Sequence, residues 1–210
     1  QTIQHIISHL YPAIFPSKNI AKYFLVLIGD NLLKKNDNSI YFISQKIKPL
    51  LKEISDKAYI YLGHANIVGN IKYKYYDHDY KDCRLIKIND FGSSNLTLAP
   101  DFSKNILDLL CVATHYSERY KSADQFLKNN CEEDVIEHVL YLQNNDSKNI
   151  VDKFIDSSLQ TSDYVSIDMK NMFFLWKRYL ESINIPNVIF NNPLKAILKD
   201  KLKYNEEKDC

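Results

Sequence analysis

One loop of this chain holds more potential donor groups than any other. Asp77-His78-Asp79-Tyr80-Lys81-Asp82-Cys83 gathers carboxylates, an imidazole and a thiol, the side chains that bind a metal or move a proton. The spacing matches neither the paired short intervals of a zinc site nor a calcium loop, and a solvated loop tip explains the composition more simply. His115, with Tyr116, Ser117, Glu118 and Arg119, offers an acid-base set. On a helix, however, His115 and Arg119 are i, i+4 neighbours and Glu118 is an ordinary surface partner. No Ser, His and Asp stand in a recognisable setting such as a nucleophile elbow. Gly63-His64-Ala65-Asn66-Ile67-Val68-Gly69-Asn70 has two glycines near the separation of a phosphate loop but lacks the Gly-Lys-Ser/Thr ending. A Gly-x-Gly-x-x-Gly run for a dinucleotide is absent as well. The chain therefore reads as non-enzymatic, with no metal or cofactor expected.

Three patterns suit binding instead. Lys195, Lys199 and Lys203 recur at i, i+4 and i+8, a basic stripe of the kind that meets phosphates or a groove, although Asp200, Glu206 and Glu207 dilute it. Lys72 and Lys74 interleave with Tyr73, Tyr75 and Tyr76, and Arg84 and Lys87 lie across a proposed hairpin, so that rings and cations can serve a single strand. The same alternation also describes a strand with Ile71, Tyr73 and Tyr75 buried and its lysines in water. Tyr80, Leu85 and Ile86 have the spacing Tyr, four residues, Leu, apolar. That is the form of the peptide by which scaffold proteins dock on the cap-binding translation initiation factor, a pattern short enough to arise by chance.

The elements that must carry these residues follow from periodicity. Met172, Leu175, Trp176, Tyr179, Leu180 and Ile183 form one apolar face of a long terminal helix, which Ile185-Pro186-Asn187 stops. Asn192 and Pro193 open a second helix with Leu194, Ile197, Leu198 and Leu202 inward. This stretch, Ser166 to Tyr204, resembles a helix-turn-helix or winged-helix element, and the rest of the chain reads as built around it. Earlier, Ser17 caps a core helix to about Lys35, Ile40 to Ile43 is a strand or a helix start, and Ile47, Leu50, Leu51 and Ile54 are helical. Ala58 to Leu62 looks β-like. Ile71 to Tyr76 and Arg84 to Ile88 alternate as two half-exposed strands of an antiparallel hairpin. No glycine follows Gly92, and helices are expected through Leu109, from Ser122 to Asn129, from Glu132 to Leu142 and from Ser147 to Leu159. The fold class is α+β, mostly helical, with a small antiparallel sheet and a winged-helix-like end. Residues 1–92, 93–162 and 163–210 form successive regions, or one compact domain.

Composition bounds the partners. The 45% apolar and 25% charged content of the 210 residues is that of an ordinary globular chain, so disorder is not expected. A net charge of +1 excludes a sequence-blind electrostatic grip over the whole surface, so any contact with nucleic acid has to be local. Cys83, Cys111, Cys131 and Cys210 are too sparse for a disulfide scaffold and read as reduced thiols. The longest apolar run, Tyr23 to Ile28, is far short of a bilayer span, so no membrane contact is expected. The chain reads as a piece of a longer protein.

Thr114-His115-Tyr116-Ser117-Glu118-Arg119-Tyr120, Phe174-Leu175-Trp176-Lys177-Arg178-Tyr179-Leu180 and Ile185-Pro186-Asn187-Val188-Ile189-Phe190 resemble segments of conserved proteins of the nucleocytoplasmic large DNA viruses, the giant-virus group. The terminal helix pair also resembles the winged-helix region of viral primase-helicases. The resemblance implies a role in viral replication or gene expression, in host cytoplasm or a viral factory. The helicase nucleotide motifs are missing, so no ATPase residues carry over. The expected function is a binding module that contacts nucleic acid, DNA or RNA, through the basic terminal helix, with a viral protein partner besides. A protein-protein scaffold of a replication or translation-initiation complex is the alternative.

Overall fold

Thr2–Leu10 forms α1 and Lys18–Leu32 forms α2, the most deeply buried helix of the protein. Ser17 starts α2 by accepting the amide of Ile20 on its hydroxyl (3.2 Å). Every residue from Tyr23 to Asp30 is buried, which is how a helix that is apolar on all sides has to be placed. The computed structural model describes residues 1–35, 38–75, 78–91, 96–98, 100–160, 162 and 165–206. Ile40–Ile43 is β1, Lys48–Leu62 is α3, Ile71–Lys72 is β2 and Cys83–Ile86 is β3. Helices follow: α4 (Pro100–Lys104), α5 (Ile106–Tyr120), α6 (Ala123–Asn130), α7 (Glu133–Val139), α8 (Ser147–Ser158), α9 (Met169–Ser182) and α10 (Asn191–Lys201). Mostly helical α+β is thus what forms.

The sheet differs from the expected hairpin. β1 lies in the centre, with β2 and β3 on either side, and both pairings are parallel. β2 and β3 are therefore not neighbours joined by a hairpin; they are the two edges of the sheet, with β1 between them, as a parallel arrangement demands. An alternating strand gives the same sequence signature in either direction, and the missing middle strand was Ile40–Ile43. The β-like stretch Ala58–Leu62 is also corrected: it forms the last turns of α3, ended by Gly63 in the left-handed region (φ 67°).

Alternation along the strands builds two cores. Tyr41, Ile43, Ile71 and Ile86 face a cluster made with α1, α2, α3, α5 and α6, while Phe42, Cys83 and Leu85 face another made with α8, α9 and α10. Burial on both faces is the usual condition of a parallel sheet. In the first core α2 and α5 approach so closely that a Cβ on Gly29 would lie 2.1 Å from the carbonyl oxygen of Ala113. Glycine is required there. In the second core Phe154 meets Trp176 edge-on at 5.3 Å, over a floor of Ile150, Val151, Leu180, Val188, Leu194 and Leu198.

The corner between α9 and α10 uses different stops from those read in the sequence. Asn184, at φ 56°, terminates α9 two residues ahead of Pro186, and the Ile185 amide donates back to the Leu180 carbonyl (2.9 Å). Ile185, Val188 and Ile189 then run buried into α10, whose cap position is Phe190 and not Asn192. Pro193 occupies the third helical position, where its missing N–H is still one of the amides no carbonyl of the helix would accept.

Candidate nucleic-acid interface and an adjoining cleft

Leu194 and Leu198 seat α10 on the second core, with Ile197 and Leu202 half-buried beside them. Lys195 and Lys199 stand on the outer side, and Lys203 follows just beyond the helix end. Tyr204 folds back between them: its ring centroid is 5.6 Å from the Lys195 ammonium and 3.9 Å from that of Lys199. Glu206 lies 3.9 Å from Lys199, and Lys201 is held by Asp152 at 2.5 Å. An aromatic face and two cations, Lys195 and Lys199, thus share the outer side of this helix.

The Tyr-rich strand is placed differently. Lys72 ends β2 half-buried, Lys74 is exposed, and the Tyr73 ring accepts the ammonium of Lys48 at 5.0 Å. Arg84 is not beside them. It points into the protein, only 8% exposed, donating through Nε (3.1 Å) and Nη2 (2.8 Å) to the two carboxylate oxygens of Asp124, and through Nη1 to the carbonyls of Lys81 and Cys83. Four of the five N–H donors of its guanidinium are thus engaged within the protein. Nearby, the Asp30 carboxylate accepts the Ser117 hydroxyl (2.6 Å) and the Ala123 amide (2.7 Å), so it caps α6 from inside the core. Burial pushes its carboxyl above the ordinary range, and these two hydrogen bonds oppose that shift. The Tyr23 and Tyr41 hydroxyls are likewise pushed up, chiefly by burial. Sequence reasoning missed this network. An aspartate inside the Tyr23–Leu32 run was its one signal.

In the donor-rich loop, Asp77 lies outside the described residues. Asp79 caps the 3-10 turn Tyr80–Asp82 and pairs with Lys81 at 3.0 Å, and its backbone hydrogen bond to Lys81 holds its carboxyl low. Burial pushes the Cys83 thiol up to about 11. Among the described residues no three His, Cys, Asp or Glu side chains converge as a metal site requires. His5 and His9 do meet across α1, Nε2 to Nε2 at 3.2 Å, but they are only two ligands. His115 is exposed while Ser117 is buried against Asp30, so the two do not act together. Gly63 is a helix cap and Gly69 closes a turn onto Asn66 (3.1 Å), so neither belongs to a phosphate cradle. Tyr80 donates its hydroxyl to the Val188 carbonyl (2.6 Å), and Leu85 and Ile86 are buried on opposite faces of β3. That segment is core, and the docking pattern is not presented to a partner.

Tyr75 and residues 78–81, the turn before α8 and the approach to α10 line a cleft of about 760 Å³. Its walls are tied together: the Tyr75 amide donates to the Asn187 carbonyl (3.3 Å), beside the Tyr80 to Val188 bond. The Tyr75 and Phe190 rings meet at 6.0 Å, tilted by 53°, beside Leu142, Val188 and Ile189.

No family model, curated protein or solved structure matches this chain. Lys195, Lys199 and Tyr204 offer charge and a ring, and the cleft beyond the other end of α10 offers rings with little free positive charge. Both suit binding. Among the described residues no helix is long and apolar enough to cross a membrane.

Proposed function

We propose that this chain is a non-enzymatic nucleic-acid-binding module of viral replication or gene-expression machinery, working in host cytoplasm or a viral factory. Lys195, Lys199 and Lys203 of the α10 region make the phosphate contacts. The observation that carries the reading is the Tyr204 ring held between the Lys195 and Lys199 ammonium groups on the solvent side of α10. Interleaved rings and cations of this kind grip a single strand through its phosphates and bases together. The winged-helix likeness rests on the α9–α10 pair alone, because among the described residues no strand follows Ile86 to form a wing. Single-stranded nucleic acid is accordingly the preferred ligand over a duplex.

Titrating labelled single-stranded and duplex DNA and RNA at several salt concentrations tests this. The triple variant K195A/K199A/K203A should bind more weakly, and its salt slope should fall by about 0.7 for each lysine–phosphate pair removed on a single strand. Absence of binding by the parent chain at low salt would refute the reading. A scaffold role would then stand, favoured by one observation: Tyr59, Ile60, Tyr61 and Leu62 at the end of α3 are 50–67% exposed on successive sides of the helix.

A further inference from the structure

We propose that the cleft beside Phe190 receives one unstacked nucleobase from a strand whose phosphates lie along α10. The inference rests on the nucleic-acid reading above and adds the ligand class and the place of the base. At about 760 Å³ the cleft is of the size that encloses a small planar ligand, and a second hollow of about 350 Å³ adjoins it through His78 and Asp79.

Its lining selects a base over a phosphate. Asp79 and Asp146 both border the cleft, and the Lys81 ammonium there is already paired with Asp79 at 3.0 Å. A phosphate entering would meet two carboxylates and no cation to spare. An uncharged flat ring would instead meet the half-exposed Phe190 ring, with Tyr75 tilted against it at 53°, over an apolar floor. The Tyr75 and Tyr80 hydroxyls donate to the carbonyls of His78 and Val188, so these rings present apolar faces. Gln143, Asn144 and Asn149 stand exposed at the rim, and each amide offers a donor and an acceptor, the pairing that base edges need. Phe190 is the entry point: it is half-exposed, although it sits between buried Ile189 and the first turn of α10.

The cleft and the basic stripe lie within reach of one strand. Lys195 and Lys199 are five and nine residues beyond Phe190, about 7.5 and 13.5 Å along a helix axis. Stacked nucleotides advance about 3.4 Å each, so two to four of them span that interval. Electrostatic grip and base capture would then be separate contributions with different salt dependence.

The test compares a homopolymeric oligonucleotide with an abasic sugar-phosphate oligomer of the same length, using the full chain. The parent protein should prefer the base-bearing strand, through Tyr204 and the cleft together. Phe190→Ala should lower that preference by about 5- to 150-fold, the worth of one stacked base, without changing the salt slope, and Phe190→Tyr, which keeps a stacking face, should restore it. The K195A/K199A pair should lower the slope on both oligomers. If Phe190→Ala binds the base-bearing strand as the parent does while the lysine variant fails, the cleft proposal is overturned and the α10 reading stands. If neither oligomer binds, both fall. If acetyl-tyrosine amide occupies the cleft in a Phe190-dependent way while oligonucleotides bind regardless of Phe190, the cleft is a peptide site and the proposal is wrong.

Discussion

Replacing Arg84 by Met separates a residue that binds nucleic acid from one that holds the fold. Sequence periodicity puts Arg84 with Lys72 and Lys74 on a binding surface; the structure commits its guanidinium to Asp124 and two carbonyls inside the protein. Met fills much of the same volume but supplies no donors, leaving the Asp124 carboxylate and the Lys81 and Cys83 carbonyls to find other partners. Breaking a buried ion pair costs about 3–5 kcal/mol. Asp124 keeps 34% of its side chain in contact with water, so its stranded charge is partly solvated and the lower end, about 3 kcal/mol, applies. With a urea slope of about 2–3 kcal/mol/M for a chain of this size, the midpoint should fall by about 1–1.5 M. Affinity for a single strand, measured where the variant is still folded, should stay within twofold of the parent. A midpoint shift under 0.2 M together with weakened, less salt-sensitive binding would refute the burial argument and return Arg84 to the interface.

Other substitutions probe the rest of the frame. Gly29→Ala must push α2 from α5 to relieve a 2.1 Å approach, and should cost about 3 kcal/mol, seen as a fall in thermal midpoint of about 6–12 °C. Asp30 has a folded pKa above its unfolded value, so the folded state holds the extra proton. Its contribution is therefore present below the unfolded value and declines as pH rises through the folded one. The stability difference between Asp30→Asn and the parent should shift in the variant's favour across that window, and a difference flat in pH would contradict the assignment. Lys121 lies at φ 70°, ψ −45°, where a side chain is strained, so Lys121→Gly should raise stability by about 1 kcal/mol in the same urea assay.

Helices were the most legible part of the sequence, because a 3.6-residue apolar stripe such as Met172, Trp176 and Leu180 has few competing readings. The sheet was misread where a period of two carries no direction. Ile71–Lys72 and Cys83–Ile86 alternate alike in a hairpin and on either side of a third strand, and nothing local to them points to Ile40–Ile43. The terminal stretch seemed central because its pattern was cleanest, yet α2 is buried more completely since its apolar residues leave no stripe to read. At the site, the spacing of Lys195, Lys199 and Lys203 was visible, but the return of Tyr204 onto them was not. Arg84 shows the opposite limit. Its partner Asp124 is forty residues away, and no local pattern distinguishes an arginine in water from one that ties a strand to a helix.

The two faces of the sheet also grade three of the protein's four thiols by depth, Cys210 lying outside the described residues. Cys111 is exposed on α5, Cys131 is half-buried after α6 at the edge of the first core, and Cys83 is sealed under the second. Burial holds the Cys83 and Cys131 thiols up at about 11, so at neutral pH neither reacts readily while it stays buried, and each regains ordinary thiol reactivity once opening exposes it. An alkylating reagent followed at these three cysteines therefore reads three depths in a single chain. Loss of Cys111 should be immediate, loss of Cys131 should follow loosening at the edge of the first core, and loss of Cys83 should wait until α8, α9 and α10 lift from Phe42 and Leu85. The order in which these thiols disappear gives a native record of which side of the sheet opens first, with no label introduced.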